Sequence, residues 1–321
     1  MKLIIQIPCL NEEETLAETL KSLPREIEGI DYIETLIIDD GSSDKTVSVA
    51  RENGANHIVQ LAKHQGLAKA FIRGINTSLK LGADIIVNTD ADNQYDAQDI
   101  EKLIEPILRG EVDMTIGDRQ TDTIPHFSPV KKKLQKMGSW VIRHISKTEA
   151  PDATSGFRAY NKKAALRLNV VSDFTYTLET IIQIGQTDIS MGYVPVRTNA
   201  VKRPSRLFSS IFQYIMSSVF TILRIYTMYA PLKFFSILGG VLFFLGSLLF
   251  LRFLYYYIAL SGNTGHTQSL ILGAVLIMLG FQNFMIGLVG DIISANRKLL
   301  EDALLRIKLM ELDAHNNQKQ P

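Results

Sequence analysis

Two aspartates, Asp90 and Asp92, stand two residues apart directly after the apolar run Ile85–Val87. In an extended backbone residues i and i+2 point the same way, so the two carboxylates can present their oxygens to one point. Carboxylate oxygens are the ligands that a hard divalent cation such as Mg²⁺ takes in proteins. The pair therefore permits a metal site, but taken alone it is a weak signal, and a solvated acidic turn, which is common in loops, is the favoured interpretation until other residues are considered.

The chain around this pair alternates short apolar runs with helical patterns. The predicted strands are Leu3–Ile7, Thr35–Ile38, His57–Leu61, the run before Asp90, and Val112–Gly117. Asn11 is predicted to cap the first helix, with Glu14 placed for a capping box, and a later helix is expected from about Gly66 to Leu81. Strands that alternate with helices require right-handed crossovers, which produce a mostly parallel sheet covered on both faces. The predicted fold class is α/β.

Three polar loops follow the first, second and fourth predicted strands: Pro8–Glu13, Asp39–Asp44 and Asp90–Gln94. Such sheets bind ligands at the carboxyl ends of their strands, and solvation alone explains poorly why three loops converge there. A nucleotide site is therefore favoured. The sequence contains neither G-x-G-x-x-G after the first strand nor G-x-x-x-x-G-K-[ST], so a metal and side chains must hold the phosphates.

Composition narrows the class of protein further. The net charge is +1, so no overall field points to a nucleic-acid partner. Cys9 is the only cysteine, which excludes an internal disulfide and fits a reducing compartment. Most of the charge lies before residue 206 and most of the apolar weight lies between 207 and 293. The chain is therefore predicted to be a soluble domain followed by a membrane part.

A set of short motifs occurs in order along the first two thirds of the chain. They are Ile7-Pro8-x-Leu10-Asn11-Glu12, Asp39-Asp40-Gly41-Ser42-x-Asp44, Gln65-Gly66, Asp90-Ala91-Asp92 and Asp152-Ala153-Thr154-Ser155-Gly156-Phe157-Arg158. Over about residues 1–210 the set resembles family 2 glycosyltransferases of the GT-A fold, in the branch of the dolichyl-phosphate mannose synthases and bacterial polyprenyl-phosphate glycosyltransferases. Two segments depart from the family pattern, Asn93-Gln94-Tyr95 and Arg203-Pro204-Ser205-Arg206, and they leave the sugar and the lipid open.

The resemblance implies roles for particular residues. Donor binding would fall to Pro8, Asn11, Glu13, Asp39, Asp40, Gln65, Asp90, Ala91, Asp92 and Gln94. Asp90 and Asp92 would hold Mg²⁺ or Mn²⁺ against the donor diphosphate, which makes Asp92 catalytic. The acceptor or its phosphate would contact Lys131, Arg143, Arg158, Arg203 and Arg206. Asp152 would be catalytic or would orient the acceptor; the alternative is a cap for the turn that follows it.

Some of these residues have structural alternatives. Lys131 and Arg143 belong to a basic stretch with Trp140, which suits a membrane surface or an anionic headgroup but equally a solvated lysine run. Tyr176 and Glu179 are candidates for lining the sugar pocket, and core packing is the alternative for Tyr176.

The second half predicts a membrane anchor. The predicted domains are a cytosolic GT-A domain at 1–204, amphipathic juxtamembrane helices at 205–233, two transmembrane helices within 234–293 (about 234–258 and 269–291), and a cytosolic C-terminal helix and tail at 294–321. Both apolar stretches are long enough to cross a bilayer. Lys233 precedes the first and Arg297-Lys298 follow the second, which puts both ends and the catalytic domain on the cytoplasmic face.

The predicted activity is transfer of one sugar from a UDP- or GDP-linked donor to a polyprenyl or dolichyl phosphate, with inversion. The expected partners are the nucleotide sugar, the lipid phosphate, membrane lipids and a possible second copy of the chain, with no nucleic acid. Two alternatives stay open: a processive polysaccharide synthase of the same fold, and an inactive membrane scaffold or nucleotide sensor.

Overall fold

A computed structural model describes residues 1–120, 143, 146, 148–170, 176–185, 187–199, 216, 219–220, 223–224, 226–259 and 266–317. The chain divides into two compact units. The first contains Met1–Met216 together with Ala303–Pro321, and the second contains Ser217–Asp302. Most of the predicted juxtamembrane segment, 205–233, lies outside the described residues.

A seven-stranded sheet is the frame of the first unit. Its strands are β1 (Lys2–Cys9), β2 (Tyr32–Asp39), β3 (His57–Gln60), β4 (Ile85–Asn88), β5 (Met114–Asp118), β6 (Arg158–Asn161) and β7 (Met191–Pro195). Their order in space is β3-β2-β1-β4-β6-β5-β7. Neighbouring strands are parallel except at β6, which runs antiparallel to both β4 and β5. The predicted α/β class with a mostly parallel sheet is confirmed.

Six α-helices in the described part of the first unit connect and cover these strands. They are α1 (Leu16–Ser22), α2 (Thr46–Glu52), α3 (Leu67–Lys80), α4 (Ile100–Leu108), α5 (Lys162–Arg167) and α6 (Thr177–Ile184). The predicted cap at Asn11 is wrong, because α1 begins at Leu16 with Thr15 in the N-cap position. Asn11 instead has left-handed backbone, with a φ of 56°, and its Oδ1 accepts a hydrogen bond from the Ser43 amide.

The centre of the sheet is buried on both faces. Every residue of β4 is buried, as is β1 from Leu3 to Cys9. Strands covered by helices on both sides read as continuous apolar runs, and each fully buried aliphatic side chain contributes about 1.5–3 kcal/mol. The loop that carries Asp90 and Asp92 therefore leaves a strand that is buried along its whole length.

The second unit contains two long helices, α7 (Pro231–Ala259) and the first part of α8 (Thr267–Asn317). Both are long and apolar enough to cross a membrane. The sequence predicts a C-terminal helix and tail at 294–321, separate from the second membrane helix, but α8 continues from one into the other. The stretch Asp291–Asn296 contains neither proline nor glycine, so nothing in it breaks the helix.

Glycines let α7 and α8 approach closely. A Cβ added at Gly239 would lie 2.6 Å from the Gly280 carbonyl oxygen, and one added at Gly246 would lie 2.8 Å from that of Gly273. Close backbone approach at small residues is the usual way in which membrane helices associate. These glycines thus pack the two helices of the hairpin within one chain.

Candidate functional site

The Asp90–Asp92 pair lies just beyond the carboxyl end of β4, and both residues are half-buried. Gly156 makes room for the first of them. A Cβ added at Gly156 would lie 3.1 and 3.2 Å from the two carboxylate oxygens of Asp90 and 2.9 Å from the Tyr176 hydroxyl. The Asp-Ala-Asp motif and the Ser155-Gly156 motif, more than sixty residues apart in sequence, are therefore adjacent in the fold.

The charges around the pair favour a cation. Burial, and then the neighbouring Asp92 carboxylate, raise the pKa of Asp90 to about 7, although the Arg119 charge opposes this. Two carboxylates that share a partly dry site repel one another, and a divalent cation between them removes that repulsion. Within the described part of the chain, no group of three or more His, Cys, Asp or Glu side chains is arranged to hold a metal.

The donor set nevertheless fits Mg²⁺ or Mn²⁺. Mg²⁺ is usually held by one or two carboxylates, with water and substrate phosphate oxygens completing its shell. Asp90 and Asp92 supply the two carboxylates. The remaining positions are then left for a diphosphate, which is what a donor site requires.

A network of hydrogen bonds between buried polar groups lies next to the Asp90–Asp92 pair. Asn88, the last residue of β4, accepts a hydrogen bond from Gln6 Nε2 at 2.9 Å. Its Nδ2 donates to the Gly156 carbonyl and to the Tyr176 hydroxyl, each at 2.9 Å. The Gly156 amide donates to the Tyr95 hydroxyl at 3.0 Å. Through Asn88 and Tyr95 these bonds tie the Asp90 loop to the Gly156 segment.

The loops after β1 and β2 are joined through two predicted donor-binding residues. Asn11 Oδ1 accepts from the Ser43 amide at 2.9 Å, and Glu13 Oε2 accepts from the Lys45 amide at 3.0 Å. Pro8 is buried in β1. Their pocket-shaping role stays a prediction, while the observed bonds show that Asn11 and Glu13 hold the two loops together.

The two aspartates that end β2 have different surroundings. Asp39 is buried and accepts from the Ser42 amide at 3.1 Å. Both oxygens of Asp40 are engaged within the protein, because they accept from the Gln65 and Gly66 amides at 2.8 Å each. Asp40 therefore closes the turn before α3. Its donor contact stays a prediction beside this supporting role.

The residues between and after the two aspartates of the pair are also tied to the fold. Ala91 is buried, and its carbonyl accepts from Thr19 Oγ1 of α1 at 2.9 Å. The Gln94 amide donates to Asp92 Oδ1 at 3.0 Å. The exposed side chain of Gln65 and the half-buried side chain of Gln94 remain predicted donor contacts.

Asp152 is bound to Arg119, a residue that motif reasoning missed. Arg119 Nε donates to Asp152 Oδ2 at 2.6 Å, and a terminal nitrogen of the guanidinium donates to Oδ1 at 2.9 Å and to Thr154 Oγ1 at 2.7 Å. Burial alone would raise the pKa of Asp152, but the Arg119 charge and the bonds from Arg119 and Thr154 outweigh it and hold that pKa below its usual value. A carboxylate that is ionised but so fully bonded is poorly placed to accept a proton. The available signal for Arg119 was its position directly after β5, at the carboxyl edge of the sheet.

Arg158 does not serve as the predicted phosphate ligand. It is fully buried, and its three side-chain nitrogens donate to the Ser155 carbonyl, the Thr180 hydroxyl and the Ala153 carbonyl. It therefore holds together the Asp152–Arg158 motif from inside the core.

The other predicted contacts fall into three groups. Tyr176 and Glu179 are buried, and Tyr176 stacks on Phe71 with ring centroids 3.9 Å apart, so Tyr176 is part of the core. Arg143 is exposed, with helical backbone at that residue. Three predicted phosphate or acceptor contacts lie outside the described residues: Lys131, Arg203 and Arg206.

Residues 4–168 match the model of glycosyl transferase family 2. The UDP-N-acetylglucosamine–dolichyl-phosphate N-acetylglucosaminyltransferase of Methanococcus voltae is 29% identical over 60% of this chain and 83% of its own length. The undecaprenyl-phosphate mannosyltransferase of Micrococcus luteus is 26% identical over 63% of this chain and 85% of its own.

The fold is also similar to that of a solved enzyme. The glucosyl-3-phosphoglycerate synthase of Mycobacterium tuberculosis, crystallised with Mn²⁺, UDP and glucosyl-3-phosphoglycerate, matches with a TM-score of 0.52 and 18% identity, over 69% of this chain and 79% of its own. The predicted GT-A fold is confirmed, and so is the resemblance to the polyprenyl-phosphate branch, to which the named relatives belong. The chain belongs to glycosyl transferase family 2.

Proposed function

We propose that this glycosyltransferase moves a single sugar from a UDP- or GDP-linked donor to a polyprenyl or dolichyl phosphate, with inversion at the anomeric carbon. The observation that carries the proposal is the position of Asp90 and Asp92 at the carboxyl end of β4, beside the loops that follow β1 and β2. This edge is where α/β sheets bind nucleotides. The relatives named for dolichyl and undecaprenyl phosphate support a lipid phosphate as the acceptor.

In this proposal Asp90 and Asp92 hold Mg²⁺ or Mn²⁺ against the donor diphosphate. The bound ion stabilises the negative charge that develops on the departing nucleoside diphosphate. Gly156 and the network through Asn88 keep Asp90 at the end of β4. Arg119, whose side chain is only 10% exposed, adds a positive charge to the same edge.

A strong base is not required for this reaction. The second pKa of a phosphate ester is about 6, so an acceptor phosphate is largely ionised at neutral pH. Asp152, whose two oxygens are held by Arg119, is assigned the role of positioning Arg119 at the acceptor side. The sequence predicted catalysis or orientation of the acceptor for Asp152, and the ion pair supports this indirect role instead.

The membrane hairpin supports a cytoplasmic catalytic unit. Helices α7 and α8 are apolar enough to cross a bilayer, and the flanking Lys233, Arg297 and Lys298 follow the bias that keeps basic residues on the cytoplasmic side. In that orientation the catalytic unit would bind the donor from the cytosol and the acceptor at the membrane surface.

Incubation of the detergent-solubilised protein with radiolabelled UDP- and GDP-sugars, polyprenyl phosphate and Mn²⁺ or Mg²⁺ tests the proposal. A labelled lipid that partitions into chloroform is the expected product for one donor, and its loss in Asp92→Ala places the metal role. Asp84→Ala is the matched control, because Asp84 lies just before the opposite end of β4 and accepts from the Lys2 amide. Failure of every donor to label the lipid would reject the proposed activity.

A further inference from the structure

The chain that follows β7 is bonded directly to the loop that follows the metal pair. Tyr95 and Thr198 form an antiparallel bridge. The Asn199 amide donates to the Gln94 carbonyl at 2.8 Å, and the Asp96 amide donates to the Arg197 carbonyl at 3.2 Å. Residues 94–96 and 197–199 thus form a short antiparallel ladder outside the main sheet.

Asn199 contributes more to this ladder than its backbone. Its Nδ2 donates to the Asn93 carbonyl at 2.9 Å and to the Tyr95 carbonyl at 3.4 Å. Together with the bond from its amide to Gln94, one residue contacts three successive carbonyl oxygens. Asn93 has a φ of 55°, a left-handed conformation that asparagine tolerates better than most residues. Asn199 therefore stabilises the turn at Asn93–Tyr95, which the residues of that turn would stabilise only weakly by themselves.

A buried carboxylate fixes the register of the ladder. Asp99, fully buried at the N-cap position of α4, accepts from the Arg197 amide at 2.7 Å and from a terminal guanidinium nitrogen of Arg197 at 2.9 Å. The same guanidinium reaches Asp96 at 2.9 Å. A slide by one residue would take the Arg197 guanidinium away from Asp99 and leave that buried carboxylate with Lys102 as its remaining ion-pair partner among the described residues, a loss that costs stability.

The ladder reaches the proposed metal ligands through one bond. The Gln94 amide, whose carbonyl is held by Asn199, donates to Asp92 Oδ1. The direction of the Asp92 carboxylate is therefore coupled to the Asn93–Tyr95 backbone. We propose that Asn199 is a positioning residue for the metal and diphosphate site, acting through that backbone on Asp92. The inference rests on the proposed function.

Mn²⁺ binding tests this role without turnover. The affinity of the full-length protein for Mn²⁺ in the presence of UDP or GDP is measured by electron paramagnetic resonance of free Mn²⁺, for wild type, Asn199→Ala and Asn199→Asp. Both variants are expected to bind about tenfold more weakly, a change of about 1.4 kcal/mol. Asn199→Asp keeps the backbone bond but replaces the Nδ2 donor by an acceptor that faces carbonyl oxygens. Raising the Mn²⁺ concentration should restore the turnover of Asn199→Ala.

Asn161→Ala is the matched control, because it also removes two side-chain bonds of an asparagine. Asn161 Oδ1 accepts from the Ala164 amide and its Nδ2 donates to Asp113, at the start of α5 and away from the metal pair. Mn²⁺ affinity equal to wild type in both Asn199 variants overturns the inference and leaves the proposed function standing. Equal weakening in Asn161→Ala also overturns it, since general loosening would then explain the effect. If the wild type binds no Mn²⁺ with either nucleotide, the proposed function and the inference are both rejected.

Discussion

Replacement of Asp152 tests whether its carboxylate acts as a catalytic base or as the ion-pair partner that positions Arg119. The two side chains are only 4% and 10% exposed, and they share two hydrogen bonds, at 2.6 and 2.9 Å. Removing one partner of a buried ion pair costs about 3–5 kcal/mol, because the other charge is left without compensation. Asp152→Asn keeps the shape and one acceptor oxygen, so a loss of about 3 kcal/mol in the free energy of unfolding is expected.

The measurement is urea unfolding of wild type, Asp152→Asn, Arg119→Met and the double variant in one detergent. The double variant should lose less than the sum of the single variants, with a coupling free energy of about 2 kcal/mol. The catalytic effect of Asp152→Asn should be no larger than that of Arg119→Met, since one acts through the other.

The effect should also depend on pH. The folded-state pKa of Asp152 is depressed, so its contribution to stability is fully present above the ordinary aspartate pKa of about 3.9. That contribution is lost as pH falls through the lower folded-state pKa. The stability gap between wild type and Asp152→Asn should therefore be constant from pH 6 to 8 and shrink below about pH 4. Wild-type stability in Asp152→Asn, together with a fall of a hundredfold or more in kcat, would show that the carboxylate works as a base.

Three further outcomes are expected. Gly156→Ala should weaken Mn²⁺ binding and lower the free energy of unfolding by about 1–3 kcal/mol, because the added methyl crowds Asp90. Gly192→Ala is the control: its added Cβ meets only side-chain atoms at 3.3 Å or more, so Mn²⁺ binding should be unchanged in the same titration. Gly239→Leu should separate α7 from α8 and lower the melting temperature in detergent. Gly240→Leu is the control, because its added Cβ meets no described atom within 4 Å. An equal drop in melting temperature for both variants would contradict close packing of α7 against α8 at Gly239. Because the pKa of Asp90 is about 7, Mn²⁺ affinity should fall by up to about tenfold per pH unit below 7 and level off above it; calorimetry that shows no change from pH 6 to 8 would refute this.

The first four strands and their polar loops are well encoded in the sequence. Runs such as Ile85–Asn88 are apolar throughout because β4 is covered on both faces. The Asp-Ala-Asp pattern follows the end of that run, so its place at the carboxyl edge could be predicted. What each polar residue does there could not. Asp40 and Asn11 satisfy backbone amides of other loops, and such partners become visible only when the chain is folded.

The second half of the sheet was harder to foresee. Strand β6 begins with Arg158, a charge that predicts exposure, and its burial depends on two carbonyls nearby and on Thr180, which lies 22 residues further on. Arg119 became a candidate only through its contact with Asp152, 33 residues away. Local patterns report periodicity and turn chemistry, whereas these roles depend on pairs of residues distant in the sequence.

The insertion of β6 between β4 and β5 has a consequence for synthesis. Strand β4 receives its native neighbour on that side only when residues 158–161 exist, about seventy residues after β4 itself. At about 5–20 residues per second the ribosome needs several seconds to make that stretch. During that interval the nascent chain carries an apolar strand with one unpaired edge, which is a template for aggregation. The strand that completes the site is thus also the one that ends this exposure, so a chaperone that covers Ile85–Asn88 would act before the enzyme has any site at all.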